Sequence, residues 1–332
     1  MDFRLDDDQI ALRDAVRGLS ERHFALGAVA AREGVPAADP AWRDLAAMGI
    51  LDLLVPAEEE TNGRGTVTAA VALEELSAHL TTGPILWTTI AAPVLGGGET
   101  EARRVAGVLV TDPNGPVVIE HAAEAGAVII VYDDRVERVE AASLPDPVPG
   151  EPFDPLTPAL AFESMPSGDE IGGPDEARAI RLAGTVLASA QLVGVAQGAL
   201  DVAAAYALER HQFGVPIGSF QAIKHLLSDM YVRVELARSS TYAAAAILDD
   251  ERGGDAARAA SAAKLLAGQA GIENGRAAVQ ILGGMGFTWE MLPHYFLKRA
   301  WVLEQSFGTA EFHALALGDA LGAALDLASA EA

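Results

Sequence analysis

The chain contains no cysteine. That excludes a disulfide framework, a thiol nucleophile and a thiolate metal site, and it fits an expectation of a cytoplasmic protein. Lysine is almost as scarce, occurring at Lys224, Lys264 and Lys298. Lysine and arginine total 23 against 47 acids, a formal net charge of −24. A field of that sign repels nucleic acid, so no nucleic-acid partner is expected. The start, Met1 to Asp8, is acidic and lacks the apolar core of a signal peptide. Long apolar runs are also missing, with one exception: Leu182 to Leu200 carries no charge. It is rich in Ala, Gly, Ser and Gln, which points to a helix buried in a bundle rather than a membrane span, so no membrane is expected. Two local absences bear on chemistry. No Asp or Glu occurs between Ala177 and Leu200, and no Trp between Trp87 and Trp289.

What is present is a chain of 332 residues, half of them apolar, enough for a large core and two or three domains. Residues 1–105 read as a helical domain. Asp6 to Asp8 place acid where a helix dipole favours it, Ile10, Leu12, Val16 and Leu19 recur at near-helical spacing, and Trp42, Leu45 and Met48 mark a second helix that stops at Gly49. A third helix is expected over Thr66 to Ser77. Residues 106–173 read as a shortened β middle domain: Gly107–Val110, Val117–Ile119 and Ala127–Tyr132 are strand-like, Asp112-Pro113-Asn114-Gly115 is turn material, and the end is rich in proline. Residues 174–332 read as a helical bundle of four-helix type, broken at Arg210–Ser219, Asp249–Asp255, Gly283–Leu292 and around Gly308. The fold class expected is mostly α with a small central β domain.

Two segments carry candidate binding chemistry. The first runs Arg210-His211-Gln212-Phe213-Gly214-Val215-Pro216-Ile217-Gly218-Ser219-Phe220-Gln221, and the second Gln280-Ile281-Leu282-Gly283-Gly284-Met285-Gly286-Phe287. Gly283, Gly284 and Gly286 leave backbone amides open to close approach, and amides of such a turn can hold a pyrophosphate. Arg210 offers a planar fork for phosphate oxygens, and Gln212, Gln221 and Gln280 can hydrogen-bond the polar edges of a nucleotide. Taken singly, each has a plainer reading: glycines after a helix are usually a cap and a turn, and an arginine at a helix end is usually solvated. Lys224 reads as a surface charge, and His225 equally as a packed helical residue or a ligand.

In order and at this spacing, the two segments closely resemble the acyl-CoA dehydrogenase family. The first is similar to its Arg-x-x-Phe-Gly-x-x-[Ile/Leu] signature followed by a glutamine, the second to its Gln-x-x-Gly-Gly-x-Gly-[Phe/Tyr]. Leu5 to Arg17 and Gly49 to Pro56 are weaker matches, and together the resemblance covers essentially the whole chain. It implies that Arg210, Gln212, Phe213, Gln221, Gln280, Gly283, Gly284 and Gly286 contact the adenosine-diphosphate arm of an FAD held mainly by a neighbouring subunit, and hence an oligomer.

The family's catalytic glutamate often stands just before a Gly-Thr pair; here Phe307 precedes Gly308-Thr309. A second family position for the base, counted back without gaps from Arg210, falls at Gly184. Neither can accept a proton, so no catalytic residue is assigned. Nor is there a counterpart of the aromatic segment that packs on the flavin ring. The resemblance therefore implies the short, non-catalytic subunit of a heteromeric acyl-CoA dehydrogenase. A longer partner subunit would supply the base and bind most of the acyl-CoA in a two-plus-two heterotetramer, and two-gene actinobacterial members of this kind act on CoA thioesters of steroid side chains. Two alternatives stand beside it: a self-sufficient enzyme with a displaced base at Glu304 or Glu311, and a structural or regulatory protein without flavin. In the plain reading Glu304 is a solvent-facing helical acid. No metal is expected.

Overall fold

The computed structural model describes residues 5–56, 65–96, 104–250 and 254–330; of the sequence readings above, Met1 to Arg4 and part of the Asp249–Asp255 break lie outside these. Four helices lead: α1 (Asp7–His23), α2 (Asp39–Ala47), α3 (Thr66–Ala78) and α4 (Ile85–Leu95). Asp6 caps α1 through a reciprocal box in which its carboxylate accepts from Gln9 N and the Gln9 side chain accepts from Asp6 N. α3 is capped from far away in the chain: Asp249 accepts from Thr66 N (2.7 Å) and Val67 N (3.0 Å).

Strands β1 (Val105–Leu109), β2 (Val117–Glu120), β3 (Ala127–Val131), β4 (Val136–Glu140), β5 (Ala159–Phe162) and β6 (Asp169–Gly172) make two sheets. One has the order β1-β3-β4-β6, with β1 parallel to β3 and the other pairs antiparallel; the second is the antiparallel pair β2-β5. β3 is buried along its whole length because both of its faces are covered, as its unbroken Ala-Val-Ile-Ile-Val run requires. Ile129 and Val131 join the core under the helices, while Val128 and Ile130 join a core of the β layer itself. α4 lies against β1, and Thr88 stitches the two by exchanging hydrogen bonds with Val105 N (3.0 Å) and Val105 O (3.2 Å).

The remaining chain is helical: α5 (Pro174–Glu209), α6 (Gln221–Asp249), α7 (Ala256–Leu282), α8 (Pro293–Gln305) and α9 (Ala310–Ala330), with a two-residue hairpin, β7 (His211–Gln212) and β8 (Val215–Pro216), between α5 and α6. α5 through α8 form the bundle. α5 is its axis, packing on α3, α6, α7 and α8, and α3 comes so close that a Cβ on Gly194 would stand 2.1 Å from Glu74 O. α5 is the one helix among the described residues long and apolar enough to cross a membrane, and 72% of its apolar window is buried in the protein. The breaks expected at Arg210, after Asp249, at Gly283 and near Gly308 are all present. α4, β4, β5 and β6 were not anticipated.

The three parts are pinned together by a buried ion pair. Arg299 on α8, 6% exposed, donates to Asp154 (2.6 Å), Thr81 O (2.9 Å) and Leu156 O (3.1 Å). Asp154, fully buried, also accepts from Leu156 N and from the Thr157 hydroxyl. One guanidinium thus joins the bundle, the proline-rich segment and the loop after α3. A second, Arg32, caps the end of α3 through Leu80 O (2.8 Å); burial beside Arg299 lowers its pKa to about 10. Removing one partner of a buried, fully bonded pair costs about 3–5 kcal/mol. Arg299→Met should therefore lower the urea midpoint by a corresponding amount, and the double variant Arg299→Met/Asp154→Leu should recover part of the loss. Equal midpoints for wild type and Arg299→Met would remove the pair as the pin.

Candidate functional site

α5 runs to one end of the bundle, α6 returns from it, and α7 comes back to it, so three chain segments meet there. Arg210 is the C-cap of α5. His211 to Pro216 fold back as the hairpin, with Phe213 and Gly214 at its tip in left-handed conformation (φ 54° and 83°). Ile217 N donates to Arg210 O (2.8 Å), and Gly218 lies against the last turn of α5. Gln221 opens α6, and Gln280 and the three glycines close α7. Tyr206 on α5 donates to the Met285 sulfur (4.0 Å), joining the hairpin end to the glycine turn.

The glycines have different reasons to be there. Gly283, at φ 64°, ends α7 in a conformation that disfavours side chains. Gly286 is buried, and a Cβ on it would meet Val279 O at 2.6 Å. Gly284 is exposed and a Cβ on it would meet nothing within 4 Å, so packing does not call for glycine there, whereas close approach of a ligand to its amide would. Among the described residues, the side chains of Arg210, Gln221 and Gln280 find no hydrogen-bond partner, and all three are exposed; Gln212 donates to the carbonyl of its neighbour His211. The donor set therefore fits a nucleotide diphosphate: one planar cation at Arg210, the free amides of Gln221 and Gln280, and an exposed glycine turn, with Gln212 turned to its neighbour's carbonyl. Lys224 and His225 are exposed on α6. Apolar side chains surround the group, with Phe213 93%, Phe287 76% and Leu208 72% exposed.

Gly184 and Phe307, the two positions where the resemblance led a base to be expected, lie elsewhere and touch each other. A Cβ on Gly184 would stand 2.0 Å from a ring carbon of Phe307, so the phenyl ring rests on the bare backbone of α5. Phe307 is 6% exposed, and its other neighbour is Trp87 on α4, with ring centroids 5.0 Å apart. The Trp87 ring lies in turn over Gly107 of β1, where a Cβ would come within 2.2 Å. Two aromatic rings and two glycines thus fill the space from α5 to the sheet.

The turn that presents Phe307 is clamped. Phe307 and Gly308 are left-handed (φ 59° and 98°). Buried Lys264 donates to Glu304 O and Gly308 O, both at 2.8 Å, and His313 Nε2 lies 3.0 Å from Phe307 O. Burial lowers the Lys264 pKa to about 8 and pushes the His313 pKa below its usual value. Glu304 departs from the sequence reading. It is buried, 8% exposed, and its carboxylate accepts from Ala310 N (2.7 Å) and from Gln305 (2.6 Å), so it caps α9 rather than facing solvent. Glu311 is exposed on the first turn of α9.

Phe307 and Trp87 also wall a cavity of about 840 Å³ between the β layer and α8. Glu120 lines it, and sequence reasoning passed it over. The signal was partly there: in Val117-Val118-Ile119-Glu120 the alternation buries Val117 and Ile119 and puts Val118 and Glu120 on one face, and both of these line the cavity together with Val117.

Two family models match the chain, "Acyl-CoA dehydrogenase, N-terminal domain" over residues 6–105 and "Acyl-CoA dehydrogenase, C-terminal domain" over residues 183–322. The acyl-CoA dehydrogenase IpdE2 of Mycolicibacterium smegmatis is 32% identical over 310 residues, covering 89% of this chain and 93% of that protein. The acyl-CoA dehydrogenase FadE34 of Mycobacterium tuberculosis is also 32% identical and matches 89% of this chain, but the chain spans only 45% of its length. Among solved structures, the ChsE4-ChsE5 complex from Mycobacterium tuberculosis superposes with a TM-score of 0.83 at 22% identity, covering 97% of this chain and 99% of that one. The chain belongs to the acyl-CoA dehydrogenase family, a family of flavin-dependent oxidoreductases.

The packing around Phe307 gives a direct test. Gly184→Glu should be poorly tolerated, because its side chain must displace the ring; overpacking of this kind costs about 1–3 kcal/mol. Phe307→Ala in the same chain should relieve much of that cost. The four melting temperatures of the cycle should therefore be strongly non-additive, and additive values would show that the two positions do not touch.

Proposed function

We propose that this chain is the non-catalytic subunit of a heteromeric, FAD-dependent acyl-CoA dehydrogenase, built with a longer partner as a two-plus-two heterotetramer. The observation that carries the reading is a division of labour within the chain. The unpartnered side chains of Arg210, Gln221 and Gln280 and the open backbone of Gly284 are kept, while the expected base positions are a phenyl ring and a glycine packed on each other.

Distance supports a site shared across an interface. Gly184 and Arg210 are both on α5, about 39 Å apart at the helical rise of ~1.5 Å per residue. The donor cluster is thus remote from the cavity of its own chain, and a cofactor held by it would have its reactive end in a neighbour. The exposed Phe213, Phe287 and Leu208 beside the cluster are what an interface core needs. The relative FadE34 adds support of another kind, since a segment like this chain accounts for less than half of it.

FAD, when bound, supplies a hydride acceptor. This chain's part is to hold the diphosphate arm: Arg210 across the phosphate oxygens, the Gly284 amide on the same group, and Gln212, Gln221 and Gln280 on polar edges, with Phe213 covering them. These contacts counter locally a net charge of −24 that disfavours an anionic cofactor. The proton acceptor and most of the acyl-CoA site belong to the partner. The substrate proposed for the pair is a bulky acyl-CoA such as a steroid side-chain thioester, in line with the resemblance to two-gene members of the family.

Co-purification of the chain with the longer homologue of its operon tests this. The pair should be yellow and oxidise an acyl-CoA, and the chain alone should do neither. Arg210→Ala in the pair should lower flavin content by about tenfold, as expected when a charged hydrogen bond worth about 1.5–3 kcal/mol is lost. Phe307→Glu should not make the isolated chain active. An isolated chain that binds flavin and turns over substrate would overturn the reading.

A further inference from the structure

Just beyond the glycine turn, one buried side chain has no role in the proposed division of labour. His294, on the first turn of α8, is 7% exposed, and neither of its ring nitrogens has a hydrogen-bond partner among the described residues. A buried polar group left in that state calls for an explanation. Aromatic neighbours enclose its ring. The Tyr295 ring lies 4.0 Å away between centroids, and the Trp289 ring meets it edge-on at 5.0 Å. Lys298, four residues further along α8, places its ammonium 4.0 Å from the centre of the Trp289 ring. Tyr295 is itself buried and donates its hydroxyl to Glu33, in the segment before α2. Trp289 is 62% exposed, yet α8 holds it through both His294 and Lys298. It belongs to residues 283–292, the segment that begins with the glycine turn. Hydrogen bonds around Thr288 stay inside that segment: its N–H and its hydroxyl both donate to Met285 O (2.9 Å), and Met291 N donates to Thr288 O (3.1 Å). The aromatic stack ties the middle of the segment to α8.

We infer that this stack is an acid-sensitive latch: a proton on His294 drives its ring from between Trp289 and Tyr295, frees residues 283–292 from α8 and loosens the glycine turn that holds the nucleotide arm. A neutral imidazole can stand among aromatic rings. An imidazolium in the same place would have two donors and no acceptor, in a spot closed to water. It would also share its helix face with the Lys298 ammonium. Burial accordingly pushes the His294 pKa below its usual value, and Lys298 adds to this, against the Trp289 backbone, Glu33 and Asp154. Both of these carboxylates are engaged, Glu33 by the Tyr295 hydroxyl and Asp154 by Arg299. Of the other charges at this end, Arg32 is bonded to Leu80 O and Glu290 is exposed. The closed latch binds a proton less well than the open one. It is therefore fully favoured above a pH of about 6.5, the ordinary histidine value, and loses ground as the pH falls below it. The effect on the nucleotide arm rests on the accessory-subunit reading; the latch itself does not.

Amide hydrogen exchange on the isolated full chain, followed from neutral to mildly acid pH and corrected for the intrinsic pH dependence of exchange, reads the latch. In the wild type, opening of residues 283–292 should increase as the pH falls, by at most about tenfold per pH unit for a single proton. His294→Phe, which keeps an aromatic ring and cannot take up the proton, should remove that increase. Lys298→Gln should move its onset to higher pH, since the like charge is gone; a merely structural loss of the Trp289 contact would raise exchange equally at every pH. In the flavin-loaded pair, flavin should leave faster in acid from the wild type and not from His294→Phe. The same pH dependence in wild type and His294→Phe, an onset unmoved in Lys298→Gln, or flavin release that ignores an opened segment overturns the inference. A pair that never carries flavin counts against the accessory-subunit reading instead, and the exchange measurements still decide the latch.

Discussion

A ring lying on a backbone organises this molecule. Because residue 184 has no Cβ, Phe307 can press against α5, and because residue 107 has none, Trp87 can press against β1 on the other side. The contact fixes where α8 must end, which way the following turn must go and how near the β layer stands to the bundle. It also explains the investment in a left-handed Phe307: Lys264, His313 and the Glu304 cap converge on one short turn because its conformation would otherwise be unfavourable.

Much of the architecture was legible in the sequence. The charge-free run from Leu182 to Leu200 named the bundle axis, and the breaks at Arg210, Gly283 and Gly308 marked where helices reverse. The paired motifs stand about one helical hairpin apart in the sequence, and the structure brings them together where the ends of α5 and α7 meet the start of α6. α4 escaped notice because its Trp-Thr-Thr-Ile-Ala-Ala-Pro stretch is apolar on every face and contains Pro93, so it shows no amphipathic period; burial on all sides, not periodicity, makes it a helix. β4 escaped because it alternates charge, Val136-Glu137-Arg138-Val139-Glu140, and its pairing with β3 is a long-range property.

The site was legible by kind of residue more than by circumstance. Glu304 looked solvent-facing since helix periodicity cannot reveal that its carboxylate is taken by Ala310 N six residues later. The mutual contact of Gly184 and Phe307 joins positions far apart in sequence, and no local pattern shows that they touch. The same limit hid Glu120, whose surroundings come from α8 and the proline-rich segment as well as from its own strand.

The Phe307–Gly184 contact also couples what the two positions can accept. A glutamate at position 184 collides with the ring, while shrinking the ring alone opens a void against Trp87. A side chain at 184 therefore needs the space that the ring at 307 holds, and the two positions can change size only in concert. Packing of this kind makes one helix and one turn answer for each other, although 123 residues separate them in the chain.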